Sequence, residues 1–268
     1  LLPMNQDTFF RKVGDDRFEA TQWTRGPWSP SHQHAGPPSA LVAGRLEEMV
    51  GDSFRVARVA IEVTRPVPIG TLRLERSFRR EGRSVKVMTG RLFDQDRKVV
   101  MSAEALALGI VELDLETKRP PMDEPSPADS AVVQFPFQDS DPGYAAAMEL
   151  RFGRGGFGEG DVMAWMRMRM PLLDDTEPSP LERVLVAADS GNGVSQRVSP
   201  LEFTFVNPDL TVTLHHSAEE DWVGLAARTE LDRTGAGVAD TRLYDQHGPI
   251  GRGIQTLLIR SRSGTARR

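Results

Sequence analysis

The run LERVLVAAD at residues 181–189, followed at once by SGNG, decides how the rest of the chain is read. Leu181, Val184, Leu185 and Ala188 recur at i, i+3, i+4 and i+7, one stripe of an α-helix. Three residues mark its start. Ser179 can cap it, Pro180 suits the first helical position, and Glu182 completes a capping box. Gly191 and Gly193 are expected to stop it. Asp189 lies four residues beyond Leu185, on or beside the buried stripe. A carboxylate there is costly unless it is paired or hydrogen-bonded, and an acid is the wrong sign to help a helix C-terminus. Asp189 is therefore read as a functional group.

Upstream, a second helix is expected over residues 37–50 of HAGPPSALVAGRLEEMVG, opened by Pro37 and Pro38 and stopped by Gly51. Two strands, TFFRKV and RFEATQW, precede it, and four alternating runs between residues 54 and 113 follow it, with turns at 66–70, 81–83 and 94–98. Residues 116–136, with KRPPMDEPSPADS, lose all periodicity and read as an extended linker. After them the plan restarts. VMAWMRMRM puts Val162, Ala164, Met166, Met168 and Met170 on one strand face, the helix at 181 follows, and further strand runs end near residue 261. RLFDQ at 91–95 recurs as RLYDQ at 242–246, an offset of 151 at which Leu106 meets Leu257, Val63 meets Leu214 and Gln255 meets Glu104. Two halves on one plan are the simplest account: residues 8–115, a linker at 116–136, and residues 137–262.

Composition narrows the function. The 268 residues carry a net charge of -5, which gives no electrostatic reason to expect nucleic acid. No apolar run approaches the length of a membrane span, and LLPMNQDTFF lacks the basic region and apolar core of a secretory signal. Residues 1–3 precede a methionine and are set aside. With no Cys, thiolate catalysis and zinc–thiolate sites are excluded, and the cytoplasm is the default expectation. The phosphate-loop, dinucleotide and nucleophile-elbow motifs are absent. RFGRGGFGEG is glycine-rich but has no lysine and no helix after it. His32 and His34 could share a metal, but a metal needs three or four ligands, so the pair is read as belonging to a loop.

What remains is a set of polar residues where apolar ones are expected: Asp189 at the helix end, Asn207 in the turn of FVNPDLTV, and Gln255 within IGRGIQTLLI. A carboxylate base and two amides are enough to hold and activate a water. Since Gln255 meets Glu104 at the offset of 151, the first half is expected to hold a decayed counterpart of this site.

HAGPPSALVAGRLEE, the meander, the Pro-rich linker, ADSGNG, FVNPDLTV, HH…DWVGL and GIQTLLIR together resemble the acyl-CoA thioesterase II-like family, actinobacterial type, from about Phe9 to Arg260. The resemblance implies an α+β architecture of two fused hotdog domains, each a curved antiparallel sheet around a central helix. It implies hydrolysis of acyl-CoA to fatty acid and CoA without a cofactor, by a water held by Asp189, Asn207 and Gln255. In the better-known enzymes the middle member is often a threonine, for which Thr211 is the nearest substitute. Gly36 offers a close approach for the thioester oxygen, although Pro37 and Pro38 remove donors there. Arg79, Arg80 and Arg83 are candidates for the CoA phosphates, with a solvated charged turn as the plainer reading. Exposed sheet edges would let such a fold form homodimers or larger assemblies. Two rival readings stand beside this one. The first is a non-catalytic acyl binder. The second is a hotdog enoyl hydratase, for which FVNPDLTV lacks the histidine.

Overall fold

The structure is a computed structural model that describes residues 7–116, 118–136, 142–174 and 176–262. The set-aside residues 1–3, the expected start of the second half at 137 and most of the basic tail lie outside the described residues. In the first half, β1 (Phe10–Gly14) and β2 (Arg17–Ala20) precede α1 (Gly36–Glu47). Then come β3 (Phe54–Val63), β4 (Thr71–Glu81), β5 (Val85–Phe93) and β6 (Val99–Gly109). The second half repeats the plan with β7 (Ala131–Val133), α2 (Tyr144–Ala147), β8 (Met148–Arg154), β9 (Asp161–Met168), α3 (Pro180–Ala188) and α4 (Gly191–Val194). It closes with β10 (Phe203–Val206), β11 (Asp209–Leu214), β12 (Val223–Leu231), β13 (Ala236–Asp245) and β14 (Gly248–Ser261).

All strands belong to one antiparallel sheet, ordered β1-β2-β4-β5-β6-β3-β11-β14-β13-β12-β9-β8-β7, with β10 pairing with the far end of β14. The two halves join where β3 pairs with β11, Thr211 opposite Ala60. Each half contributes one central helix, and the helices run antiparallel in contact. Gly36 meets the backbone of Val186, Gly44 meets Glu182, and Ser179 meets Glu47. Nearly every residue of α1 is buried, because α3 covers one side and β5 and β6 the other. No helix among the described residues is long and apolar enough to cross a membrane.

The capping box at α3 is complete. Glu182 N donates to Ser179 Oγ at 3.2 Å, and Ser179 N donates to Glu182 Oε2 at 2.8 Å. Gly191 and Gly193 do not stop the chain, contrary to the sequence expectation. Asp189 keeps a helical conformation and α4 follows directly. Gly191 is needed for close approach instead, since a Cβ there would lie 2.5 Å from Thr241 Oγ1.

One further expectation is corrected, and β9 is covered on more than the expected face. The face of β9 carrying Val162, Ala164 and Met166 is buried, but so is the opposite face, with Met163 and Trp165 fully covered. The covering is the Pro-rich segment. Pro125 O accepts from Trp165 Nε1 at 2.8 Å, Asp123 Oδ1 from Tyr244 Oη at 2.8 Å, and Arg119 pairs with the buried Asp245. The offset of 151 also holds only as far as β13. Met88 pairs with Ala105 and Ala239 pairs with Gln255, so Met88 and Ala239 are 151 apart while Ala105 and Gln255 are 150 apart. Five residues, 94–98, join β5 to β6, where four, 245–248, separate Tyr244 from Pro249. A one-residue slip turns every side chain to the other face. The counterpart of Gln255 is therefore the buried Ala105, and Glu104 faces outward to Arg58 and Arg79.

Candidate active site

The end of α3 places Asp189 at the wall of a cavity of about 1010 Å³ that both halves line. The carboxylate is 3% exposed and each oxygen is engaged. Oδ1 accepts from Asn207 Nδ2 at 2.8 Å and from Gln255 Nε2 at 3.4 Å. Gln255 Nε2 also donates to the Asp189 carbonyl at 3.0 Å, while its Oε1 accepts from Asn192 N at 3.0 Å. That backbone donor fixes which end of the amide faces the carboxylate. Asn207 is oriented in the same way, with its Oδ1 facing Asn192 Nδ2 at 3.4 Å and its Nδ2 also 3.3 Å from Asp209 O. Asn207 lines the cavity, whereas the buried Gln255 sits behind the carboxylate.

Oδ2 meets a residue that the sequence reading assigned to a loop. His34, from the segment entering α1 in the other half, brings Nδ1 to 3.0 Å from Asp189 Oδ2. Gly36 N also points at Nδ1, at 3.2 Å. One nitrogen cannot accept from Gly36 and donate to Asp189 at once. A charge-assisted bond to a buried carboxylate is the stronger of the two, so the proton belongs on Nδ1. His34 stacks on Tyr144, ring centroids 3.8 Å apart and planes 6° from parallel. Tyr144 Oη is held by Val186 O and Ser190 Oγ, each at 2.8 Å. Burial, together with the nearby Asp189 charge and against the Ser190 hydrogen bond, pushes its phenol far above the ordinary range, so it stays a neutral platform.

The structure thus brings Asp189, Asn207 and Gln255 together and adds His34, Tyr144 and Asn192. It does not bring Thr211 to them: that side chain is on the face of β11 opposite the buried Leu210 and Val212, and it does not line the cavity. Gly36 serves helix packing, since a Cβ there would lie 2.5 Å from Val186 O, and its N–H is directed at His34. Arg79, Arg80 and Arg83 belong to β4 and its hairpin in the first half and do not line the cavity; Arg79 binds Glu104 at 2.7 Å. At the reciprocal end of the helix pair, where α1 ends beside the start of α3, Arg45 bridges Glu48 and Glu182, and Ser179 Oγ donates to Glu47. Ion pairs occupy the place that the carboxylate and amides hold at the other end.

A buried carboxylate with two oriented amides and a histidine thus lies beside a cavity shared by the two sheet-and-helix halves of a double hotdog fold. The family model of the acyl-CoA thioesterase N-terminal domain matches residues 24–108, and that of the C-terminal domain matches residues 118–259. The chain belongs to the acyl-CoA thioesterase family and is a thioester hydrolase. Among solved structures, a hot dog fold protein of unknown function from Alicyclobacillus acidocaldarius is 16% identical, with 94% of this chain and 95% of that chain covered and a TM-score of 0.73. The tesB protein of Mycobacterium avium subs paratuberculosis is 17% identical over 94% and 95% of the two chains, with a TM-score of 0.69. Acyl-CoA thioesterase II TesB2 of Mycobacterium marinum is 14% identical over 95% and 96%, with a TM-score of 0.63. At these identities the likeness is one of fold. Among curated proteins, none matches the chain.

Proposed function

We propose that the chain hydrolyses acyl-CoA by direct attack of water, with Asp189 and His34 acting as one general base. The observation that carries this reading is the 3.0 Å contact between Asp189 Oδ2 and His34 Nδ1 at the wall of the shared cavity. A carboxylate that holds Nδ1–H orients an imidazole and stabilises its protonated form, leaving Nε2 to take a proton. Water attacks the thioester carbonyl carbon while the pair removes its proton. Collapse of the tetrahedral intermediate breaks the C–S bond, and the proton passes to the departing CoA thiolate, so a carboxylic acid and a free thiol leave. In this scheme Asn207 and Gln255 hold the carboxylate rather than the water, and Gln255 is a positioning residue.

Two groups that work as a unit lose their effects non-additively. Thiol release from acyl-CoA is measured for His34→Gln, Asp189→Asn and the double variant. Each single change is expected to lower kcat by roughly a hundredfold to ten-thousandfold, the usual range for a general base, and the double variant to be no slower than the worse single one. Full activity in His34→Gln with loss in Asp189→Asn would remove His34 from the mechanism and return the water to the carboxylate alone.

A further inference from the structure

The glycine-rich stretch RFGRGGFGEG reaches the same cavity through Phe157. The hairpin between β8 and β9 turns on Gly155, Gly158 and Gly160, with φ of 67°, 91° and 76°, a conformation that side chains with a Cβ rarely adopt. The turn folds Phe157 inward, where it is half-buried and lines the cavity. Its ring packs edge-on against the buried Phe152, centroids 5.1 Å apart, and lies 6.3 Å from Phe135. Phe135 in turn is 6.2 Å from Tyr144, and Tyr144 lies 3.8 Å from His34. A row of rings therefore runs in three steps from the imidazole beside Asp189 to Phe157. Gly143, Ala145 and Ala146 also line the cavity, with the Arg25 side chain lying against Gly143.

Another part of the cavity lining has a different character. Trp28 is 38% exposed, Val206 38% and Leu258 41%, and the exposed Thr64 and Arg65 stand beside them. Arg262 lies 5.6 Å above the Trp28 ring. A thioester centred at Asp189 must extend its acyl chain and its CoA moiety in opposite directions. Apolar rings that end against the core suit a hydrocarbon chain, and an exposed wall with arginines suits the charged, solvated CoA.

We infer that the row Tyr144–Phe135–Phe157 is the acyl chamber and that Phe157 is its end wall, which sets the length of the straight, apolar acyl chain the enzyme accepts. This rests on the thioesterase reading but assigns a specificity role that the reading does not require. Each methylene newly buried at the chamber end is worth about fourfold in binding. Phe157→Ala lengthens the chamber and Phe157→Trp shortens it.

The test uses the whole chain and saturated acyl-CoA substrates of increasing length, with kcat/KM measured for wild type, Phe157→Ala, Phe157→Trp and Trp28→Ala. The preferred length is expected to move up in Phe157→Ala, with the ratio of longer to shorter substrate rising about fourfold or more, and down in Phe157→Trp. Trp28→Ala is expected to change KM for all lengths alike. The same length series of free fatty acids is titrated calorimetrically against the same variants. If wild type cleaves no thioester but fatty-acid binding still shifts with Phe157, the hydrolase mechanism falls and the chamber stands. If neither profile moves in either Phe157 variant, each shown by thermal melting to be folded, the chamber is refuted whatever the activity.

Discussion

Replacing Gly36 with Ala tests the contact that brings the two halves of the site together. A Cβ at this position would lie 2.5 Å from Val186 O and 3.3 Å from both the Val186 carbonyl carbon and His34 Nδ1. Non-bonded carbon contacts are comfortable from about 3.5 Å, so the ends of α1 and α3 must separate by roughly 1 Å. The obstacle is backbone, held inside a helix, and cannot rotate away. Overpacking of this kind costs about 1–3 kcal/mol. Against it stands the stiffening of the unfolded chain, worth about 0.4–1 kcal/mol when a glycine becomes alanine at a compatible position. The clash wins, leaving a net loss of roughly 1–2 kcal/mol, a fall in Tm of about 2–8 °C for a chain of this size. The same movement separates His34 from Asp189, and a misplacement of about 1 Å can cost on the order of a hundredfold in rate. Thermal melting and thiol-release kinetics are the assays, with Gly193→Ala as the control. A Cβ at Gly193 would meet nothing within 4 Å, so that change is expected to leave Tm equal or slightly raised. A Gly36→Ala protein as stable and as active as wild type would refute the packing of α1 on α3 as described.

Arg119→Ala strips the cation from Asp245, which is 0% exposed and otherwise keeps only the N–H groups of Glu219 and His247. Removing one partner of a buried pair costs about 3 kcal/mol, so denaturant unfolding should show a lower midpoint, and protease should cut the Pro-rich strap faster; an unchanged midpoint would mean the strap is not anchored there. Burial pushes the Asp245 carboxyl up, but the Arg119 hydrogen bond and the two backbone donors outweigh it and hold it below the usual range. Its contribution is therefore present above the ordinary Asp pKa and lost as pH falls through the lower folded value, and Arg119→Ala should lose less stability on acidification than wild type. Glu47 behaves in the opposite sense. Burial raises its carboxyl despite the Ser179 hydroxyl and Arg45, so the stability it contributes is full below about pH 4.3 and lost as pH rises through the folded value. Glu47→Gln should raise Tm at neutral pH and lose that advantage below about pH 4, and a lower Tm at neutral pH would contradict the assignment.

Much of this was legible along the chain, and the reasons differ from element to element. Asp189 stood out because a carboxylate interrupts an otherwise apolar helical stripe, a local signal. The capping box was local too. His34 was not legible, because its meaning depends on an antiparallel packing of two helices far apart in sequence, and a pair of histidines suggests metal first. Gly36 and Gly44 carried that information in a weaker form: two small residues eight apart on α1, both at the contact with α3. The repeat was visible in RLFDQ and RLYDQ, yet the same offset misassigned Glu104, since one residue fewer in the β13–β14 turn reverses the facing of β14 relative to β6. The Pro-rich segment read as a linker because its contacts, Trp165 and Asp245 among them, come from strands well later in the chain.

Whether Asp189 drives the reaction is decided by comparing acyl-CoA hydrolysis by wild type and Asp189→Asn, with both proteins shown by thermal melting to be folded. Turnover by wild type and a loss of roughly a hundredfold or more in kcat for the variant are expected. Turnover retained within a few-fold of wild type in Asp189→Asn would contradict the assignment of Asp189 to the general base.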